Sequence, residues 1–234
     1  MPELDLSTEA VCAIHQPNFF PWLGYFDKVR RADVFVILDL VGYPKSGHSG
    51  MGSWLNRVAL NINGEGRRVR CPLVRKHGFL PVREVMIDDS KPWRKKLLKT
   101  IESSYKKSPN YLKALDLLEP LILYDTPNLM EFNLNAIHRI NKAMGISSNF
   151  VYQSELGVTG TRTQLLIDIL QSFGITNYMC GGGAGGYQED HLFEEANINL
   201  IYQNFTPKPY GDPKRFLPGL SVIDFLMWAD DWQE

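Results

Sequence analysis

The sequence predicts an α/β fold in which helices flank a mostly parallel sheet. Two observations support this prediction. Residues 34–40 (VFVILDL) are β-branched and almost wholly apolar, which is typical of a strand covered on both faces of a parallel sheet. The last third of the chain alternates β-type and helical segments, at a spacing that favours parallel pairing through right-handed crossovers.

The composition is that of an ordinary globular protein. Hydrophobic residues make up 44% of the 234 residues and charged residues 22%, which argues against a disordered chain. The formal net charge is −1, so general nucleic-acid binding is not expected. No apolar run could cross a bilayer, and residues 1–10 are unlike a signal peptide, so we expect a cytoplasmic protein. Because the three cysteines form no CxxC pair, we expect no metal site.

The N-terminal elements follow from local signals. Residues 11–14 form a short apolar strand that stops at His15, because Pro17 cannot continue a ladder. A short helix over about 25–31 then leads to the strand at 34–40.

An inserted β-hairpin is expected over about residues 54–87. Residues 54–62 and 67–74 suit strands, and Asn63-Gly64 between them is a strong hairpin signal. A third short strand over 82–87 is expected beside them.

A helical insertion is expected over about residues 91–145, with Ser90 as the cap of its first helix. Strands at 149–153, 177–180 and 199–203 follow, and Thr161 with Gln164 matches a capping box for the intervening helix. We therefore expect residues 1–234 to form a single α/β domain that carries both insertions.

Candidate catalytic residues lie where predicted strands end. Ligands of open α/β sheets bind beyond the carboxyl ends of parallel strands, and His15, Asp39 and Cys180 occupy such ends. His15 could act as a proton acceptor, oriented by Asp39, and Cys180 as a nucleophile. Each also has a structural interpretation: a hydrogen bond to a loop carbonyl for His15, a salt bridge for Asp39, and core packing for Cys180.

Substrate-binding candidates surround these positions. Asn56 and Arg57 suit a carboxylate or phosphate, although an exposed strand arginine would look the same. The aromatic loop at 19–25 suits stacking on a sugar or base, and equally hydrophobic packing. The glycine-rich run at 181–186 could bind phosphate through backbone N–H groups, although it matches neither nucleotide-binding fingerprint. The binding candidates are Gln16, Trp22, Tyr25, Asn56, Arg57, Gly181, Gly182 and Gly183.

Several segments together resemble the WbqC-like family over about residues 13–230. They are HQPNFFPWLGYFDKVRRADVFVILDLV, SWLNRVAL, CPLV, YMCGGGAGGYQEDHLFEEANINLIYQNF and FLPGLSVIDFLM. Two segments depart from the family pattern, namely the longer GYPKSGHSGMGS after Asp39 and Cys180-Gly181 in place of Ser-Gly. The resemblance adds Tyr187 to the binding candidates; its matching motif positions are His15, Gln16, Pro17, Trp22, Gly24, Tyr25, Asp39, Asn56, Arg57, Tyr187 and Gln203.

The resemblance implies a role in bacterial surface-polysaccharide or O-antigen biosynthesis. It favours a transferase that attaches an acyl or aminoacyl group to an activated amino sugar, with an activated sugar and an acyl donor as small-molecule partners. A nucleotidyltransferase-like enzyme is an alternative, although its HxGH signature is missing. A non-catalytic protein that binds a sugar or nucleotide is another. Neither the residues nor the resemblance identifies a cofactor or an oligomeric state.

Overall fold

The computed structural model describes residues 7, 9–43, 53–74, 79–181 and 188–233. The chain divides into two compact units. The first unit consists of residues 1–16, 27–40 and 147–206, and the second consists of residues 17–26, 41–146 and 207–234.

The helices and strands alternate along the chain as the sequence predicts for an α/β fold. In chain order they are β1 (Val11–His15), α1 (Leu23–Arg31), β2 (Val34–Ile37), β3 (Arg57–Ile62), β4 (Glu65–Arg70), a 3-10 helix (Val82–Glu84), α2 (Trp93–Tyr105), α3 (Tyr111–Ile122), α4 (Leu129–Ala143), β5 (Asn149–Tyr152), a second 3-10 helix (Gln153–Glu155), α5 (Arg162–Phe173), β6 (Asn177–Cys180), α6 (Asp190–Glu195), β7 (Asn199–Tyr202) and α7 (Val222–Trp228).

The first unit contains a five-stranded sheet in the order β5-β2-β1-β6-β7, and every neighbouring pair is parallel. All four residues of β2 are buried, as its apolar sequence predicts for a central strand. The parallel α/β prediction is therefore confirmed.

The two ends of helix α5 in the first unit are formed differently. It stops at Gly174, whose φ of 66° is the left-handed conformation that glycine adopts without strain. The predicted capping box at its start is wrong. Thr161 makes no side-chain cap hydrogen bond, and the side chain of Gln164, which would form the other half of the box, donates to Asp168 instead.

The second unit contains the predicted hairpin of β3 and β4. Asn63 and Gly64 form its turn with φ of 58° and 83°, the positive values that a two-residue turn of this type requires. The third strand predicted over 82–87 is wrong. Residues Val82–Glu84 form a 3-10 helix, and Met86 and Ile87 make only isolated bridges, to Asn128 and Leu73.

Three helices of the second unit, α2 to α4, occupy the predicted helical insertion. The face of α2 that carries Trp93 and Ile101 is buried, as its spacing predicts. Ser90 does not cap this helix, because Pro92 occupies the N-cap position. Phe132 on α4 stacks on Phe19 with ring centroids 5.9 Å apart, so the aromatic loop contributes to the core of this unit.

Within the described ranges, none of the helices combines the length and apolarity that a membrane span needs.

Candidate functional site

The carboxyl ends of β1 and β6 are adjacent at the point where the strand order of the sheet reverses. The chain runs outward from β1 to β2 and β5 on one side, and from β6 to β7 on the other. The register of β1 with β6 pairs Ala13 with Met179, and its continuation places His15 beside Gly181. Such a reversal leaves a crevice beyond the strand ends, where open α/β sheets bind ligands.

His15 is held as a neutral imidazole at the end of β1. Its Nδ1 lies 2.9 Å from the carbonyl oxygen of Gln16, so Nδ1 carries the proton and Nε2 carries the lone pair. Burial lowers the pKa of His15 to about 4, and the charge of Lys28 lowers it further against the opposing Gln16 hydrogen bond. His15 therefore has a proton-accepting nitrogen at neutral pH, but it is a weak base.

Lys28 of α1 is a member of this site that the sequence analysis missed. Its side chain is only 5% exposed, and its Nζ would lie 3.4 Å from a Cβ added to Gly181. Burial lowers the pKa of its ammonium group, against the opposing effects of Cys180 and Asp27. Helical periodicity is the signal that could have identified it, because Lys28 follows the buried Tyr25 by three residues and so shares its face.

Cys180 closes β6 as a buried, neutral thiol. Its Sγ lies 3.9 Å from the carbonyl oxygen of Ile201, and the residue is 1% exposed. Burial raises the pKa of the thiol, although a hydrogen bond with Gln188 and the charge of Lys28 act in the opposite direction. A thiol in this condition is a poor nucleophile. Gly181 follows it and is half-buried, whereas Gly182, Gly183 and Tyr187 lie outside the described residues.

Asp39 is buried two residues beyond the end of β2, where it caps a neighbouring segment. Its Oδ1 accepts a hydrogen bond of 3.0 Å from the backbone N–H of Ser154, just after β5. Among the described residues, no hydrogen bond or ion pair joins Asp39 to His15. A backbone N–H therefore satisfies one oxygen of this buried carboxylate.

Gln203, a motif position, anchors α1 at the end of β7. Its Nε2 donates to Asp27 over 2.8 Å, and Arg31 Nη1 donates to its carbonyl oxygen over 3.0 Å. Arg31 and Asp27 also form an ion pair of 3.3 Å. These three residues hold the helix turn that carries Lys28.

The remaining predicted binding residues, Trp22, Tyr25, Asn56 and Arg57, belong to the second unit. The side-chain amide of Asn56 has structural partners, since Oδ1 accepts from Tyr43 and Nδ2 donates to the Cys71 carbonyl, both over 2.9 Å. Arg57 begins β3, and Tyr25 is buried.

Trp22 keeps 36% of its surface exposed, and its ring covers Gly24. A Cβ on Gly24 would lie 2.2 Å from the ring carbon Cζ2, which explains why this motif position is a glycine.

A separate polar cavity of about 220 Å³ lies at the amino ends of β2 and β5, whereas His15 lies at the carboxyl end of its strand. Its polar groups already hold the strand ends: Asp33 accepts from the Val11 N–H over 2.8 Å, and Ser148 donates to the Ala32 carbonyl over 3.0 Å. Among the described residues, no group of three His, Cys, Asp or Glu side chains is arranged to hold a metal ion.

Comparison with known proteins gives a family but no activity. Residues 16–233 match the model of the WbqC-like protein family. The chain is 28% identical over 220 residues to the uncharacterized protein Rv1507c of Mycobacterium tuberculosis, an alignment that covers 92% of this chain and 91% of that protein. No solved structure shows a significant match.

Proposed function

This chain belongs to the WbqC-like protein family, and we propose that it is a cytoplasmic transferase that moves an acyl or aminoacyl group onto an activated amino sugar. The reaction would serve surface-polysaccharide biosynthesis, such as that of O-antigen. The observation that carries the proposal is the parallel pairing of β1 with β6 at the reversal of the strand order, which brings together the strand ends that carry His15 and Cys180.

In the proposed reaction, Nε2 of His15 removes a proton from the attacking amine or hydroxyl of the sugar. The nucleophile forms a bond to the acyl carbon, the bond to the leaving group breaks, and His15 returns the proton to that group. Such proton transfer typically contributes about 10²–10⁴ in rate. Because the Cys180 thiol is neutral and buried, direct transfer without a covalent enzyme intermediate fits the residues best.

The other predicted roles remain proposals. We propose that Gly181, Gly182 and Gly183 contribute backbone N–H groups to a phosphate, and that Tyr187 contacts the substrate. Asp39 then supports the strand ends rather than His15 directly. Substrate contacts for Gln16, Trp22, Tyr25, Asn56 and Arg57 are likewise predictions from the sequence.

The test is a transfer assay with nucleotide-activated amino sugars and activated acyl or aminoacyl donors, with the product identified by its mass. We expect His15→Ala to lower turnover about 10²–10⁴-fold. His191→Ala, which removes an exposed histidine of the same unit, is the matched control. Unchanged turnover in His15→Ala would show that this histidine is not the base. Direct transfer predicts that Cys180→Ser retains its turnover, whereas a route through a Cys180 thioester predicts that it loses it.

One observation favours a second function, binding without catalysis. Asp39 is hydrogen-bonded to Ser154 rather than to His15, so the acid–base pair that the sequence predicts is not formed among the described residues. Binding of an activated sugar with no transfer to any donor would support this alternative. Release of pyrophosphate from a nucleotide would instead support a nucleotidyltransferase.

A further inference from the structure

Lys28 is a buried cation that has no anionic partner among the residues that the structure describes. Among the described residues, no carboxylate lies within ion-pair distance of its Nζ and no hydrogen bond satisfies it. Its neighbour Asp27 instead pairs with Arg31 and accepts from Gln203. An ammonium group removed from water in this way carries a large desolvation cost, and a bound anion would offset it.

The position of Lys28 indicates where such an anion would bind. Its Nζ adjoins Gly181, at the end of β6, and its charge acts on both His15 and Cys180. The ammonium group therefore faces the reversal point between β1 and β6. A backbone N–H at the start of a loop and a nearby ammonium group are the donors that typically bind phosphate.

We propose that Lys28 binds a phosphate group of the substrate at the carboxyl ends of β1 and β6. This inference rests on the proposed function for the identity of the ligand, since nucleotide-activated sugars carry phosphates. It assigns to Lys28 a binding role that none of the sequence motifs indicates.

Phosphate binding would also raise the pKa of His15. The charge of Lys28 is one of the two causes that keep the pKa of His15 low, and a bound phosphate would neutralise that charge. The pKa of His15 would then rise toward its ordinary value of 6.5, where an imidazole is an effective base. The free protein would hold a weak base that strengthens when the substrate arrives.

The experiment measures binding of inorganic pyrophosphate by calorimetry and the His15 pKa by histidine-labelled NMR, with and without pyrophosphate. We expect Lys28→Met to weaken pyrophosphate binding about 10- to 100-fold, as loss of a charged hydrogen bond predicts. The same variant should raise the His15 pKa of the free protein and abolish its rise on binding. Lys99→Met, on the exposed side of α2, makes the same change of charge as a control.

Two measurements keep the result interpretable. Lys28→Met should unfold at an equal or higher temperature, because it removes a buried charge, and Lys28→Arg should restore part of the binding. Unchanged pyrophosphate affinity in Lys28→Met would overturn the inference, as would acetate that competes as well as phosphate does. Lys28-dependent binding without any transfer would refute the proposed function alone, whereas transfer with an unaltered KM in Lys28→Met would refute only the role of Lys28.

Discussion

His15 makes the folding free energy depend on pH in a defined window. The pKa of His15 is about 4 in the folded chain, and its ordinary value, which applies to the unfolded chain, is 6.5. Between pH 4 and 6.5 the unfolded chain therefore binds a proton that the folded chain does not. The stabilisation is complete above pH 6.5 and is lost as pH falls toward 4.

We expect His15→Gln to flatten the pH dependence of stability in this window, as measured by urea unfolding at several pH values. His191→Gln, a change at an exposed histidine of the same unit, is the matched control. Equal slopes in the wild type and His15→Gln would show that protonation of this imidazole is not coupled to folding.

Sequence reasoning predicted the positions of some candidate residues better than their partners. The strand-end rule correctly predicted that the ends of β1 and β6, which carry His15 and Cys180, are adjacent, because parallel pairing brings strand ends together whatever their side chains. It could not find the partner of Asp39, because that partner is a backbone N–H, which every residue but proline carries.

Asp224 shows a further difficulty at the same scale. It is a lone charge in an apolar segment, as Asp39 is, and it is buried with one oxygen accepting from Tyr210 over 2.9 Å. Burial raises its pKa, against hydrogen bonds from two tyrosines. A charge inside an apolar run thus marks a buried carboxylate reliably, but it does not distinguish a site from a core.

At the scale of elements, helix caps provide a direct comparison. The Oδ1 of Asn128 accepts a hydrogen bond of 3.0 Å from the backbone N–H of Glu131 at the start of α4, whereas Thr161 makes no such bond for α5. Both residues are good cap formers in sequence terms. Only the bond made by Asn128 contributes to stability.

We expect Asn128→Ala to lower the free energy of unfolding by about 1 kcal/mol, as loss of an N-cap typically does. Thr161→Ala should change it by less than about 0.5 kcal/mol, the usual range for a surface substitution. Chemical denaturation of both variants checks this, and an equal loss in the two would contradict the difference between their caps.

Elements were predictable wherever the chain's own pattern decided them. The hairpin turn at Asn63 and Gly64 depends on local φ values, and β2 on its apolar composition. Residues 82–87 have the composition of a strand, but Val82 bonds backward to Val41 and Leu129 bonds to Val85, so these backbone groups are already used by distant segments. A pattern within six residues carries no information about such partners.

At the scale of the whole molecule, the boundary between the two compact units falls within α1. One continuous helix therefore contributes residues to both units, and the chain passes from one unit to the other several times. Because the chain connects the two units in this way, we keep the prediction of a single domain.

We expect one cooperative thermal transition, because neither unit can unfold without disturbing a segment that continues into the other. Scanning calorimetry checks this through agreement between the calorimetric and van't Hoff enthalpies. Two resolved transitions would instead show that the units fold independently.

The pairing of Ala13 with Met179 has a consequence for how the chain is made. The neighbour that covers the second edge of β1 is β6, which is synthesised more than 160 residues after β1. Until then a nascent chain exposes an open, apolar strand edge, of the kind that chaperones bind and that aggregation exploits. The proposed substrate crevice is thus completed only after β6 has been synthesised, and a chain that stops before β6 has no such crevice.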